Sequence, residues 1–132
     1  MSSDILVTGA AGFAGSHLTD LLVGSGANVI AWHRPGGSPP RERSGARWEA
    51  VDLLDQALVQ TAIDRTRPSS VYHCAGAAHV GRAWESTEGT FATNVRGTHH
   101  VLQALERSGI AARVLVPSSA LVYASADEAM TE

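Results

Sequence analysis

A chain of 132 residues with 44% hydrophobic and 17% charged residues has the balance of one globular domain, or of a piece of one. Its formal net charge of −3 and its scattered arginines provide no basic surface, which argues against nucleic acid as a partner. No apolar run approaches the ~20 residues of a membrane span, and the N-terminus lacks a signal-peptide pattern, so we expect a cytoplasmic protein with no membrane partner.

Two residue types limit the available chemistry. The single cysteine, Cys74, excludes an internal disulfide and lies in an apolar run, where a small core residue is its expected role. All ten basic residues are arginine. A mechanism that needs a lysine ammonium therefore cannot be completed within these residues.

The first predicted unit is a strand at residues 5–7, a glycine-rich turn and a helix over about residues 13–23. The glycine spacing is Gly-x-x-Gly-x-x-Gly rather than Gly-x-Gly-x-x-Gly. Gly9 permits the turn, Gly12 lets backbone approach a pyrophosphate, and Gly15 lets the helix lie close to the strand. The helix N-terminus would face the anion. The alternative is a purely structural turn before a helix.

The next predicted unit combines two strands and a helix. Residues 28–33 are predicted to form the second strand, and the proline- and glycine-rich residues 34–41 a loop. Residues 46–51 are predicted to form the third strand. Asp55 then caps a helix that carries a set of apolar side chains on one face, namely Leu58, Val59, Ala62 and Ile63.

A long helix lies between the last two predicted strands. Residues 70–75 and 113–116 are predicted to be strands, and the helix begins between Trp84 and Glu88. Its expected stripe consists of Phe91, Val95, Thr98, Leu102 and Leu105. Alternating strands and helices predict an α/β protein with a doubly wound parallel sheet, in which ligands bind at the carboxyl ends of the strands.

Three segments resemble the motifs of one family. Residues 7–16, Val-Thr-Gly-Ala-Ala-Gly-Phe-Ala-Gly-Ser, resemble the opening motif of the extended short-chain dehydrogenases, also called the NAD-dependent epimerase/dehydratase family. Residues 94–98 resemble its Asn-Val-x-Gly-Thr motif, and residues 117–123 resemble its Ser-Ser-x-x-Val-Tyr-Gly segment. The resemblance implies a Rossmann fold truncated after about five strands. Residues 1–132 would then be the N-terminal portion of the dinucleotide-binding domain, and the substrate domain would be absent.

The cofactor implied is NADP or NAD, and the end of the second strand favours NADP. An NAD site usually has a carboxylate there, about 20 residues beyond the glycines. No Asp or Glu lies between Asp20 and Glu42, whereas Arg34 stands at the strand end. Its guanidinium could pair bidentately with a 2′-phosphate. The alternative is that Arg34 is a solvated loop residue.

The resemblance implies cofactor contacts from several strand ends. Asp52 would accept a hydrogen bond from the adenine amino group, unless it caps a helix instead. Small residues after the fourth strand would let backbone approach the cofactor, and Asn94 would brace the neighbouring strand end. The implied cofactor-binding residues are Gly9, Gly12, Phe13, Ala14, Gly15, Arg34, Asp52, Leu53, Ala75, Gly76, Asn94 and Ser118.

The catalytic residue implied by the resemblance is Ser119, whose hydroxyl would hydrogen-bond a substrate oxygen during hydride transfer. Ordinary turn chemistry after a strand is the alternative for Ser118 and Ser119. The family's Tyr-x-x-x-Lys pair, in which the lysine lowers the tyrosine pKa, is absent from these residues. No metal site is predicted.

Two functions stay open at this point. One is the cofactor-binding part of an NAD(P)-dependent epimerase, dehydratase or reductase that transfers a hydride at a carbon of a nucleotide sugar, inactive alone and with a homodimer as one option. The other is a non-catalytic dinucleotide-binding or sensing module. A Tyr-x-x-x-Lys pair encoded beyond Glu132 would favour the enzyme, and a stop codon there would favour the module.

Overall fold

A computed structural model describes residues 4–37, 45–78, 80–119 and 122–123. The described strands form one sheet of five strands in the order β3-β2-β1-β4-β5, and every neighbouring pair is parallel. This confirms the predicted doubly wound α/β fold, with β5 at one edge of the described sheet. The strands are β1 Ile5–Thr8, β2 Val29–His33, β3 Ala46–Ala50, β4 Ser70–His73 and β5 Arg113–Leu115.

The described helices connect these strands. Five are α-helical segments, and a π-helix, Ala92–Gly97, joins the last two of them. The α-helices are α1 Phe13–Gly24, α2 Gln56–Thr66, α3 Val80–Glu85, α4 Thr87–Phe91 and α5 Thr98–Arg107. Within the described residues, none of them has the length and apolar composition needed to cross a membrane.

The core lies on both faces of the sheet because successive strand residues point to opposite sides. Leu6 belongs to a cluster with Val71 and the apolar residues of α2 and α5. Its neighbour Val7 belongs to a second cluster with Val29 and Ala31, against which Leu18 and Leu22 of α1 pack. Helices thus cover both faces, which is why the central strands are nearly continuous apolar runs.

Helix α2 forms where the sequence pattern predicts it. The Asp55 carboxylate accepts a hydrogen bond from the Leu58 N–H at 3.0 Å, as an N-cap should. Val59 and Ile63 are fully buried, and burying each stabilises the fold by about 1.5–3 kcal/mol. Leu58 is 39% exposed, so it lies at the margin of the predicted face.

A π-helix interrupts the long helix, and much of the predicted apolar stripe is exposed. Leu105 is buried, whereas Phe91, Val95 and Leu102 are 57%, 50% and 43% exposed, so the described residues leave much of the predicted apolar stripe uncovered. Ala92 and Gly97 are buried instead, and their separation fits the i→i+5 repeat of a π-helix. In α5 the core face consists of Val101, Ala104 and Leu105.

Candidate functional site

A cleft of about 660 Å³ opens where the carboxyl ends of the strands meet. It brings together seven of the predicted cofactor-binding residues, namely Gly9, Gly12, Arg34, Asp52, Leu53, Ala75 and Gly76. These residues come from the segments that follow four different strands. The carboxyl ends of parallel strands all lie at one edge of the sheet, and this arrangement brings the residues together.

The glycine turn forms one wall of the cleft. Gly9 has a φ of +63°, and a Cβ there would lie 2.6 Å from backbone atoms of Ala75. A Cβ on Gly15 would lie 2.2 Å from the Gly9 carbonyl oxygen. Only glycine fits at these two positions, because a real Cβ does not approach backbone within 3 Å. A Cβ on Gly12 would lie 3.2 Å from the same oxygen, which is tight but less severe.

The N-terminus of α1 points its backbone donors toward this turn. Gly12 is the N-cap residue, and its carbonyl oxygen accepts from the Ser16 N–H at 2.9 Å. The N–H groups of the first helical turn, at Phe13, Ala14 and Gly15, have no acceptor within a helix. The first turn carries no acidic residue that would compete with an anion. This end of α1 is chemically suited to a phosphate.

The end of β2 lies beside the glycine turn. The Ala10 N–H donates to the Trp32 carbonyl oxygen at 3.0 Å, which joins the turn to β2. The Arg34 carbonyl oxygen accepts from the Gly37 N–H at 3.0 Å and faces His33 Nδ1 at 3.0 Å. Arg34 is exposed and belongs to the lining of the cleft.

Asp52 lies in a turn rather than at a helix cap. Its Oδ1 accepts from the Leu54 N–H at 2.9 Å, whereas Asp55 caps α2. A carboxylate can accept several hydrogen bonds, so Asp52 keeps acceptor capacity toward the cleft. The Leu53 carbonyl oxygen lies 2.7 Å from His100 Nδ1, which attaches this turn to α5.

Asn94 on the π-helix supports the opposite wall. Its Oδ1 accepts from the Ala77 N–H at 2.7 Å, and its Nδ2 donates to the Ala77 carbonyl oxygen at 3.3 Å. A Cβ on Gly76 would lie 3.1 Å from Asn94 Oδ1. The Asn94 side chain thus holds the segment after β4 through the backbone of Ala77.

The side chains of the other predicted residues lie outside the cleft lining. Phe13 is 86% exposed and packs edge-on against the His17 ring, with ring centroids 5.0 Å apart. Ser118 and Ser119 are exposed and follow β5. The Ser119 carbonyl oxygen accepts from the Val122 N–H at 3.1 Å. Their assigned roles stay predictions.

Several lining residues were not predicted. Thr8, Trp32, Cys74 and Thr93 all line the cleft. Three of them are sequence neighbours of predicted positions, since Thr8 precedes Gly9, Cys74 precedes Ala75 and Thr93 precedes Asn94. Trp32 precedes the last residue of β2. Burial raises the pKa of the Cys74 thiol, which keeps it protonated at neutral pH and argues against a nucleophile. No group of metal-binding side chains occurs in the part of the chain that the structure describes.

Known proteins are similar to this chain in both sequence and fold. The chain is 34% identical over 127 residues to the UDP-glucose 4-epimerase of Haemophilus influenzae, covering 90% of this chain and 37% of that protein. The structure of the UDP-glucose 4-epimerase of Thermus thermophilus in complex with NAD is 33% identical, with a TM-score of 0.73 over 81% of this chain and 35% of the other. The structure of MoeE5 in complex with UDP-glucose and NAD is 35% identical, with a TM-score of 0.77 over 96% of this chain and 40% of the other.

The chain therefore spans little more than a third of the length of these relatives. The model of the NAD dependent epimerase/dehydratase family matches residues 5–132. The five-stranded parallel sheet and the glycine turn agree with that match. The chain belongs to the NAD dependent epimerase/dehydratase family.

Proposed function

We propose that this chain is the cofactor-binding part of an NAD(P)-dependent enzyme that acts on a nucleotide sugar. The observation that carries the proposal is the cradle formed by Gly9, Gly15 and the N-terminus of α1 at the carboxyl edge of the sheet. A Cβ would fill this cradle at two points, and the helix end supplies donors for a pyrophosphate. The residues present fit a dinucleotide.

Different residues of the cleft would contact different parts of the cofactor. Gly12 and the first turn of α1 would hold the pyrophosphate, and Asp52 and Leu53 would hold the adenine. The small residues Ala75 and Gly76 would let the protein backbone approach the cofactor. When bound, the cofactor supplies a nicotinamide ring that accepts and returns a hydride. The chain's own contribution is to bind the cofactor, orient it and exclude water from one side of it.

NADP is the proposed cofactor of choice. Arg34 stands at the end of β2, where an NAD site usually has a carboxylate, and lines the cleft. The structures of the relatives from Thermus thermophilus and of MoeE5 contain NAD, so NAD is the competing candidate in every test.

Ser119 is the proposed catalytic residue for substrate. Its hydroxyl would hydrogen-bond a sugar oxygen while a hydride leaves the attached carbon, which holds the reacting group in place. A lysine-activated tyrosine would have to come from outside these 132 residues, since they contain no lysine. The nucleotide-sugar substrate is proposed because the relatives named above act on or bind UDP-glucose.

Self-association is a further part of the proposal. The helical face that carries Phe91, Val95 and Leu102 is apolar and exposed in the part of the chain that the structure describes. A second copy of the chain would bury these side chains. Sedimentation velocity over a range of protein concentrations measures this directly, and Val95→Asp should reduce the association.

The test of the proposed function is calorimetry of the full-length gene product with NADP and NAD, followed by a hydride-transfer assay with nucleotide sugars. Binding of either cofactor and a change in nicotinamide absorbance on adding a sugar nucleotide would support the enzyme. Cofactor binding without hydride transfer would support the dinucleotide-binding module instead. Failure to bind either cofactor would contradict both.

A further inference from the structure

A continuous series of hydrogen bonds runs from the segment after β4 to the π-helix, and the buried His73 is at its centre. The Thr8 hydroxyl lies 2.8 Å from His73 Nδ1, and the Ala75 N–H donates to the Thr8 hydroxyl oxygen at 3.3 Å. On the other side of the ring, His73 Nε2 lies 2.9 Å from the Thr98 hydroxyl oxygen. The Thr98 hydroxyl donates to the Asn94 carbonyl oxygen at 2.7 Å.

The direction of every bond in this chain follows from the groups at its two ends. The Asn94 carbonyl oxygen can only accept, so Thr98 uses its single hydroxyl proton there and must accept from His73 Nε2. The ring therefore carries a proton on Nε2. The Ala75 N–H can only donate, so the Thr8 oxygen accepts from it and the Thr8 hydroxyl proton is free to go to Nδ1.

With a neutral His73 ring every hydrogen bond of this series can form, whereas with a charged ring one of the bonds is lost. A proton on Nδ1 would have to be accepted by the Thr8 oxygen, and the Thr8 hydroxyl proton would lose its acceptor. His73 is only 3% exposed, so water cannot replace the lost bond without opening the core. Burial also lowers the pKa of His73, in agreement with the neutral form.

We propose that His73, as the neutral Nε2–H tautomer, is a positioning residue that holds the two walls of the cofactor cleft in register. The inference deepens the proposed function and rests on it. His73 is not among the residues that line the cleft, but Thr8 and Ala75 are. Its other arm ends at Asn94, whose side chain holds Ala77 beside the Gly76 wall. One ring thereby connects the glycine-turn strand with the π-helix.

The tautomer is measured in the wild-type protein. Imidazole ¹⁵N chemical shifts of the full-length gene product at pH 7.5 distinguish the Nε2–H tautomer, the Nδ1–H tautomer and the imidazolium, and His73→Gln assigns the signals. The expected pattern is the Nε2–H tautomer. An Nδ1–H tautomer or a rapidly exchanging mixture would overturn the proposal.

The effect on the cleft is measured by dinucleotide affinity in folded variants. Thr98→Val removes the acceptor for Nε2–H and should raise the Kd for the dinucleotide about tenfold, whereas Thr98→Ser keeps the hydroxyl and should restore the wild-type Kd. Thr66→Val is the matched control, since Thr66 is a buried helical threonine that donates to the Ala62 carbonyl oxygen at 2.7 Å, far from the cleft. It should lower stability without changing the Kd.

Two outcomes separate the inference from the proposed function. If wild-type protein binds the dinucleotide and Thr98→Val binds it equally well, the network is merely structural and the positioning role is wrong. If the wild-type protein binds neither NADP nor NAD, the proposed function is wrong, and the role of His73 toward the cofactor is wrong with it.

Discussion

The Gly15 α-carbon faces the Gly9 carbonyl oxygen so closely that an added Cβ would lie 2.2 Å from that oxygen. This contact fixes how near α1 can approach the end of β1. The oxygen cannot move away easily, because it also accepts from the Gly12 N–H at 2.9 Å. Helix packing and turn geometry therefore depend on the same atom.

Gly15→Ala should destabilise the fold by about 1–3 kcal/mol, because α1 must shift to relieve the overlap. Gly24→Ala in the same helix is the control, since nothing lies within 4 Å of a Cβ there. That substitution should stabilise by about 0.5–1 kcal/mol. Urea unfolding measures both free energies, and equal effects would contradict the assigned contact.

Gly12→Val tests phosphate binding more than folding. The added side chain would occupy the space where backbone meets the pyrophosphate, so two charge-assisted bonds would be lost and affinity should fall by about a hundredfold or more. Circular dichroism checks that the variant folds. A folded variant with unchanged affinity in calorimetry would place the phosphate site elsewhere.

Arg34→Ala tests cofactor choice. A guanidinium bond to the 2′-phosphate is worth about 1.5–3 kcal/mol, so NADP affinity should fall by about 10- to 100-fold while NAD affinity changes little. Arg107→Ala, at the exposed end of α5, is the control and should alter neither. Equal losses for the two cofactors would contradict a role in NADP preference.

His73 predicts a specific dependence of stability on pH. Because its pKa is lowered in the fold, the unfolded chain takes up a proton near the ordinary value of 6.5 while the folded chain stays neutral. The contribution of neutral His73 to the free energy of unfolding is therefore complete above about pH 6.5, and it is lost progressively as the pH falls below that value. Urea unfolding at pH 7.5, 6 and 5 should show a smaller decline for His73→Gln than for wild type. Identical declines would show that His73 titrates normally.

The strand ends and the glycine turn could be predicted because their signals are local. Glycines, caps and short apolar runs fix those backbone conformations within a few residues, and a parallel sheet then gathers the ends at one edge. The Asp55 cap and the glycine turn followed from such patterns.

The π-helix and the His73 network could not be predicted in the same way. A stripe spaced for an α-helix looks identical whether or not a π turn interrupts it, so the spacing of Phe91 and Val95 gave no sign of the π-helix. The bonds of His73 reach residues 65 and 25 positions away in the sequence. Only the folded chain shows that a strand-four histidine connects Thr8 with Thr98.

We propose above all that the cleft at the carboxyl edge of the sheet is the dinucleotide site. The most direct measurement is the mapping of backbone amide chemical shifts in the full-length gene product during titration with NADP and then NAD. Saturable shifts should be concentrated at Gly9 to Gly15, Arg34, Asp52 to Leu53 and Ala75 to Gly76. Saturable shifts confined to other residues, or no shifts at millimolar cofactor, would contradict it.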